Sequence, residues 1–181
     1  AIKHFASNGI NETRVTAPHV DLGKSFKARI NVSTATLNLS LNDSVVITYT
    51  PSDAAAQIWK FDRQSNGTYK ITNTKTGQVL DVKGASKTAG ANIDIYDSNN
   101  TNAQRWYIYE SGVSGKYVFR SACAPGVVMG VQNDSKSAMA NIQTVNYTNT
   151  KGQRFGITKI SSGSTSPGRM TRSVLSLTTF W

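Results

Sequence analysis

The sequence predicts an all-β protein made of three similar four-stranded units, on the strength of three observations. Apolar residues make up 38% of the 181 residues and charged residues only 17%, while Asn, Ser, Thr and Gly fill much of the remainder. This balance is typical of strands joined by turns and excludes a coiled coil or helical bundle. A short motif recurs three times along the chain, and no segment of about 11 residues keeps a helical period.

The recurring motif is a Gln, any residue, and then a large aromatic residue. Its copies start 47 and 49 residues apart, and residues 77–106 align with residues 126–155 without a gap. A match of this length predicts repeated structure, and aromatic residues that recur with it are expected in the core. The three copies are Gln57-Ile58-Trp59, Gln104-Arg105-Trp106 and Gln153-Arg154-Phe155.

The second unit shows the strand pattern most clearly. Residues 69–72 follow the turn pair Asn66-Gly67, and residues 79–82 precede a Gly-Ala-Ser stretch. Residues 93–96 alternate apolar and polar side chains, and residues 106–109 close the unit. Four strands in each of three units predict twelve strands. Since no single unit is large enough to bury its apolar face alone, we expect the three to close around one axis.

Taken together, the three motif copies, the strand spacing and the run from Val79 to Tyr96 resemble the ricin-type β-trefoil lectin family. The resemblance covers residues 25–160 and implies a β-trefoil with pseudo-threefold symmetry. It divides the chain into an N-terminal extension, three repeats and a C-terminal segment that begins as a Ser/Gly-rich linker and ends as an apolar tail. The predicted boundaries are 1–24, 25–63, 64–110, 111–160 and 161–181.

The family resemblance implies a sugar site in the second unit. A sugar site needs polar acceptors for adjacent hydroxyl groups and an aromatic face against the apolar side of the ring. Asp81 stands at the position of the family's sugar-binding Asp, Asp94 at the polar position and Tyr96 at the stacking position. Gln104 is the glutamine of the motif. Ala103 replaces the usual Asn before it, so Asn102 or Asn100 is the predicted substitute.

The other two units depart from the family pattern. In the first, Asn38 near the Asp position, Tyr49 at the stacking position and Gln57 in the motif make a weaker candidate site. In the third, Gly130 replaces the Asp and Val145 replaces the aromatic residue, so we expect no sugar binding of the usual kind there.

The chain has a positive net charge, which indicates the kind of partner it could bind. Twenty Lys and Arg against ten Asp and Glu give a net charge of +10, and residues 111–160 hold much of this excess. An anionic glycan or surface is therefore a candidate partner, whereas no motif indicates nucleic acid. The single Cys123 and the two histidines favour neither a disulfide nor a metal site, and we predict no cofactor and no membrane span.

The sequence favours noncatalytic binding of carbohydrate as the function. It contains none of the phosphate-binding, metalloprotease or serine-hydrolase motifs that would indicate an enzyme. The family resemblance implies a secreted or extracellular lectin, either alone or as the binding part of a toxin or a glycoside hydrolase. The alternative is a protein-interaction subunit whose sugar sites have degenerated and whose termini, including residues 174–181, dock a partner protein.

Overall fold

A computed structural model of the chain describes residues 19–160. It contains twelve strands, and the helical segments in this range are 3-10 turns of three residues each. The predicted C-terminal segment and most of the N-terminal extension lie outside the described residues. The strands are β1 (Ser25–Val32), β2 (Asn38–Asn42), β3 (Val45–Tyr49), β4 (Trp59–Arg63), β5 (Tyr69–Asn73), β6 (Val79–Val82), β7 (Ile93–Tyr96), β8 (Trp106–Glu110), β9 (Tyr117–Ser121), β10 (Val127–Val131), β11 (Ile142–Asn146) and β12 (Phe155–Ile160).

Six strands form a closed barrel, namely the first and last strand of each unit. Strand β1 pairs with β4, β4 with β5, β5 with β8, β8 with β9 and β9 with β12. The pairing of β12 with β1, from Phe155 opposite Val32 to Ile160 opposite Lys27, completes the ring. Because the ring closes, none of the six strands is left as an exposed sheet edge.

The middle two strands of each unit form a hairpin, and the three hairpins together cover one end of the barrel. They are β2–β3, β6–β7 and β10–β11. Neighbouring hairpins touch through single bridges, which join Val45 to Asp94, Ile47 to Asn141 and Asn92 to Gln143. A six-stranded barrel capped by three hairpins is the β-trefoil arrangement, so the predicted fold is confirmed.

The core lies inside the barrel and is rich in aromatic residues. Trp59, Trp106 and Phe155 are no more than 1% exposed, as expected for the residues that close each unit. Each of the two tryptophans also donates a hydrogen bond from Nε1 to a hairpin carbonyl, Trp59 to Leu39 at 3.3 Å and Trp106 to Leu80 at 3.1 Å. These bonds fix the hairpin of each unit on the barrel.

Candidate functional site

The strand register shows which residues occupy equivalent positions in the three units. The two tryptophan bonds make Leu39 equivalent to Leu80, so the following residue, Ser40, is equivalent to Asp81. The pairings across each hairpin agree with this assignment. The opposed residues are Ser40 and Ile47 in the first unit, Asp81 and Asp94 in the second, and Gly130 and Gln143 in the third.

The second-unit cleft, an open cavity of about 440 Å³, brings together three of the predicted site residues. Asp81, Asp94 and Tyr96 line it, and Asn99 and Thr101 form its other side. Asp81 is only 7% exposed, whereas Tyr96 is 59% exposed. The cleft therefore offers a ligand two carboxylates on one wall beside an accessible aromatic ring.

Gln104 lies behind this cleft and holds its parts in place. Its Nε2 donates to Asp81 Oδ2 at 2.8 Å and to the carbonyl of Asp97 at 2.9 Å, and its Oε1 accepts from the backbone N of Asn99 at 2.9 Å. The side chain is fully buried. Gln104 thus fixes the orientation of the Asp81 carboxylate and the path of the chain after β7.

Asn102 does not line the second-unit cleft; the asparagine that does is Asn99. The Asn102 carbonyl accepts a hydrogen bond from the Ser121 hydroxyl at 3.1 Å. Asn99 Oδ1 accepts from the backbone N of Thr101 at 3.1 Å and from its hydroxyl at 2.7 Å, a local turn typical of Asn. The Asn-x-Thr sequence of this turn is the signal that could have indicated Asn99 as a residue of the cleft.

The carboxylates of the second-unit cleft are hard to ionise. Burial, and then the nearby charge of Asp81, raise the pKa of Asp94 to about 6, an effect that Lys83 partly offsets. Burial also raises the pKa of Asp81, while the hydrogen bond from Gln104 acts in the opposite direction. The hairpin that bridges to β7 through Val45 also carries Asp43.

We expect Asp94→Asn to stabilise the protein at pH 8 and to have no effect at pH 4. The pKa of the Asp94 carboxyl is higher in the folded than in the unfolded state. At a pH between these two pKa values, the carboxyl therefore takes up a proton when the protein folds. The stability of the wild type therefore falls as pH rises from about 4 to above 6, and the variant lacks this loss. Urea unfolding at several pH values measures the difference. If the free energy of unfolding changes with pH in the same way for the wild type and the variant, the prediction is wrong.

The first-unit cleft is the equivalent space between Tyr49 and Gln57, with a volume of about 310 Å³. Asn38 does not occupy the Asp position; Ser40 does. Asn38 lies two residues earlier, is 3% exposed and donates to Gln57 Oε1 at 3.1 Å, so it has a structural role. Ile47 stands opposite Ser40, and the cleft lining has no carboxylate.

A methionine from the third unit forms part of the wall of the first-unit cleft. Met139 has a φ of +70° and is 57% exposed, whereas the equivalent residue of the second unit is Gly90, with a φ of +94°. A left-handed backbone disfavours residues with a Cβ, so Met139 is held there by its neighbours. Its backbone N donates to the carbonyl of Thr48 at 2.6 Å.

In the third unit, side chains of the protein itself fill the corresponding space. A Cβ added at Gly130 would lie only 2.5 Å from Val145 Cγ2, so Val145 covers the position that a carboxylate takes in the second unit. Asp134 Oδ1 accepts from the Thr150 hydroxyl at 2.7 Å and from the backbone N of Gly152 at 3.0 Å. The third unit therefore has Gly130 and Val145 where the second has Asp81 and Tyr96, and its lack of sugar binding of the usual kind stays a prediction.

Half of the basic side chains that concentrate charge in residues 111–160 are engaged within the protein. Arg120 is 4% exposed and donates to the Tyr109 hydroxyl at 2.8 Å. Arg154 bonds to Asn149, and Lys159 Nζ bonds to the carbonyl of Leu22. The other three basic residues of this region are Lys116, Lys136 and Lys151.

Residues 19–160 show neither a metal cluster nor a helix that could span a membrane. No group of three or more His, Cys, Asp or Glu side chains is arranged to hold a metal ion in this range. In the same residues no helix is long and apolar enough to cross a membrane.

The comparison with protein families agrees with the fold. The model of the ricin-type beta-trefoil lectin domain-like family matches residues 27–96 and, in a second overlapping match, residues 55–145. The chain therefore belongs to this lectin family. No curated protein matches the sequence significantly.

Several solved structures share the fold. A designed threefold-symmetric protein, ThreeFoil, is 25% identical with a TM-score of 0.70, over 74% of this chain and 99% of its own. A lectin from Macrolepiota procera, solved in complex with lactose, is 12% identical with a TM-score of 0.68, over 78% of this chain and 100% of its own.

An enzyme is also among these structures. An exo-β-1,3-galactanase from Clostridium thermocellum is 22% identical with a TM-score of 0.69, over 79% of this chain but only 31% of the enzyme. The chain thus spans about a third of that protein. At this identity, and at that of the Macrolepiota lectin, the likeness shows the fold alone.

Proposed function

We propose that this protein binds carbohydrate without catalysis and that the second-unit cleft is its binding site. The observation that carries the proposal is the accessible ring of Tyr96 beside Asp81 and Asp94 in one open cleft. The ring offers a flat apolar face to a sugar, and the carboxylates accept hydrogen bonds from its hydroxyl groups. Membership of a lectin family supports the same function.

The placement of the two carboxylates favours binding over hydrolysis. Asp81 and Asp94 lie side by side on adjacent strands, so both are on the same wall of the cleft. A glycoside hydrolase needs two carboxyl groups that flank the scissile bond from opposite sides. The pair is therefore better placed to bind hydroxyl groups of a sugar than to cleave a glycosidic bond.

A single open cleft is expected to bind a sugar weakly, with a Kd on the order of millimolar. Useful affinity then requires several copies of the site or attachment to a larger assembly. We propose that the protein acts outside the cell in such an assembly, as the binding part of a secreted enzyme or a toxin. The galactanase is an example of an enzyme in which a region of this fold makes up about a third of the chain.

We expect Asp81→Asn to weaken sugar binding by about tenfold to a hundredfold. The variant keeps the size of the side chain but removes the charge, and a hydrogen bond to a charged group contributes about 1.5–3 kcal/mol. A glycan array identifies the ligand, and NMR titration with that ligand measures the Kd. Asp62→Asn is the matched control, because it removes the same charge from β4 of the barrel, outside the cleft.

The salt dependence separates the proposal from its rivals. Binding to neutral sugars that is insensitive to salt and lost in Asp81→Asn supports the second-unit cleft. Binding to anionic glycans alone, lost with salt and kept in the variant, would move the site to the lysines of the third unit. If the protein binds no glycan, the proposal is wrong and a protein-interaction subunit is favoured.

A further inference from the structure

The second-unit cleft contains two carboxylates that form no ion pair with the described residues, and Lys83 offsets their charge only in part. Asp81 and Asp94 are directly opposed on antiparallel strands, which puts their Cβ atoms about 5 Å apart on one face. The ion pairs recorded within residues 19–160 involve neither of them. Lys83 lines the same cleft but is exposed and forms no ion pair with either carboxylate.

Asp81 is the more buried of the two and is directed into the cleft. It is 7% exposed and lines the cavity, and Gln104 bonds to its Oδ2 and leaves Oδ1 for a ligand. Its negative charge is therefore held where a ligand would sit, with one oxygen already fixed in orientation. A buried carboxylate is stabilised when a cation pairs with it.

Tyr96 adds a second feature that attracts a cation. Its side chain is 59% exposed at the edge of the same cleft. The face of an aromatic ring carries partial negative charge and attracts ammonium groups. A ligand in this cleft therefore meets two carboxylates and an aromatic face, and all three favour positive charge.

We propose that the second-unit cleft selects sugars that carry a protonated primary amine over the corresponding neutral sugars, an inference that rests on the proposed carbohydrate binding. A hydroxyl group donates one hydrogen bond to this pair and leaves both charges in place. An ammonium group has three donors, so it bonds to both carboxylates and neutralises part of their charge. The ring of the same sugar lies against Tyr96.

The charge of the whole protein makes this preference a specific test of the cleft. With a net charge of +10, the protein repels cations at long range. A preference for the charged sugar must therefore come from local contacts. Burial and the charge of Asp81 raise the pKa of Asp94 to about 6, and a bound ammonium group lowers this pKa because a nearby cation favours the ionised carboxylate.

The experiment compares D-galactosamine and D-glucosamine with their neutral parents, D-galactose and D-glucose, and with their N-acetyl derivatives, by NMR titration at pH 6. The N-acetyl sugars keep a nitrogen substituent but lack the charge. We expect the amino sugars to bind about tenfold more tightly than either counterpart. The preference should be lost in Asp94→Asn and kept in the control Asp62→Asn.

A second measurement follows the carboxyl group itself. Titration of the Asp94 carboxyl by NMR, with and without saturating D-galactosamine, should show a lower pKa in the presence of the sugar. The groups that surround Asp94 are Asp81 on β6, Lys83 directly after β6, Tyr96 on its own strand and Asp43 in the neighbouring hairpin. An unchanged pKa on saturation would overturn the inference.

The outcomes separate this inference from the proposed function. Equal Kd values for amino sugars and neutral parents, or tighter binding of the parents, overturn the preference and leave carbohydrate binding intact. If the protein binds no sugar on a glycan array, the proposed carbohydrate binding is wrong, and so is the inference that rests on it. Tighter binding of the amino sugars in the wild type, lost in Asp94→Asn, supports both.

Discussion

Trp106→Ala is expected to lower the free energy of unfolding by about 3–5 kcal/mol, the usual cost of truncating a large buried aromatic residue. Trp106 is 1% exposed, so the change leaves a cavity between the barrel and the second hairpin. It also leaves the carbonyl of Leu80 without the indole donor, which lies at 3.1 Å. Since Leu80 precedes Asp81, we expect sugar binding to weaken as well. Chemical denaturation measures the stability change.

Trp106→Phe separates the packing of the ring from its hydrogen bond. The third unit has Phe155 at this position, fully buried, so the fold accepts phenylalanine there. We expect a loss of about 1–3 kcal/mol, mainly from the unpaired carbonyl of Leu80. A loss from Trp106→Ala no larger than that from Trp106→Phe would contradict the role assigned to packing.

Gln104→Ala should be costly both to stability and to sugar binding. The change removes the partners of Asp81 Oδ2, the Asp97 carbonyl and the Asn99 backbone N–H. With about 1–3 kcal/mol for each buried group left unpaired and water reaching some of them, we expect a total loss of about 3 kcal/mol. Sugar binding should weaken about tenfold, because Asp81 and Asn99 are no longer held. Denaturation and NMR titration measure the two effects.

Gln153→Ala is the matched control in the third unit. Gln153 Nε2 donates to the carbonyl of Asn146 at 2.9 Å, and its Oε1 accepts from the backbone N of Thr148 and of Asn149 at 2.9 Å. The control should lose comparable stability, since it makes the same kind of bonds, and keep its sugar affinity. If both variants bind sugar equally well, Gln104 does not position the site.

The sequence was sufficient to predict the fold because the repeat was long and gap-free. A constant offset of 49 residues aligned the second and third units strand by strand, and Trp106 and Phe155 fell on equivalent buried positions. The family resemblance, rather than the repeat, implied a site at Asp81, Asp94 and Tyr96, which share one cleft. A long repeat constrains the register of every strand within it.

The first unit could not be aligned in the same way, because its segment before β3 is shorter. Asn38 therefore fell near the Asp position, while the structure places Ser40 there, opposite Ile47. Register in a hairpin depends on pairing between strands, which a spacing in sequence does not contain. Asn99 was missed for a related reason, since a turn after β7, rather than the motif itself, brings it to the cleft.

The pairing of β1 with β12 has a mechanical consequence. The start of β1 and the end of β12 lie together, with Lys27 opposite Ile160, and the two strands run antiparallel. Tension that pulls the two ends of the domain apart would break these pairs one after another, beginning at that edge. Tension on one end alone, against a sugar held in the second-unit cleft, loads the two strands differently. Tension between the two termini is therefore expected to open the barrel first at the β1–β12 pairing.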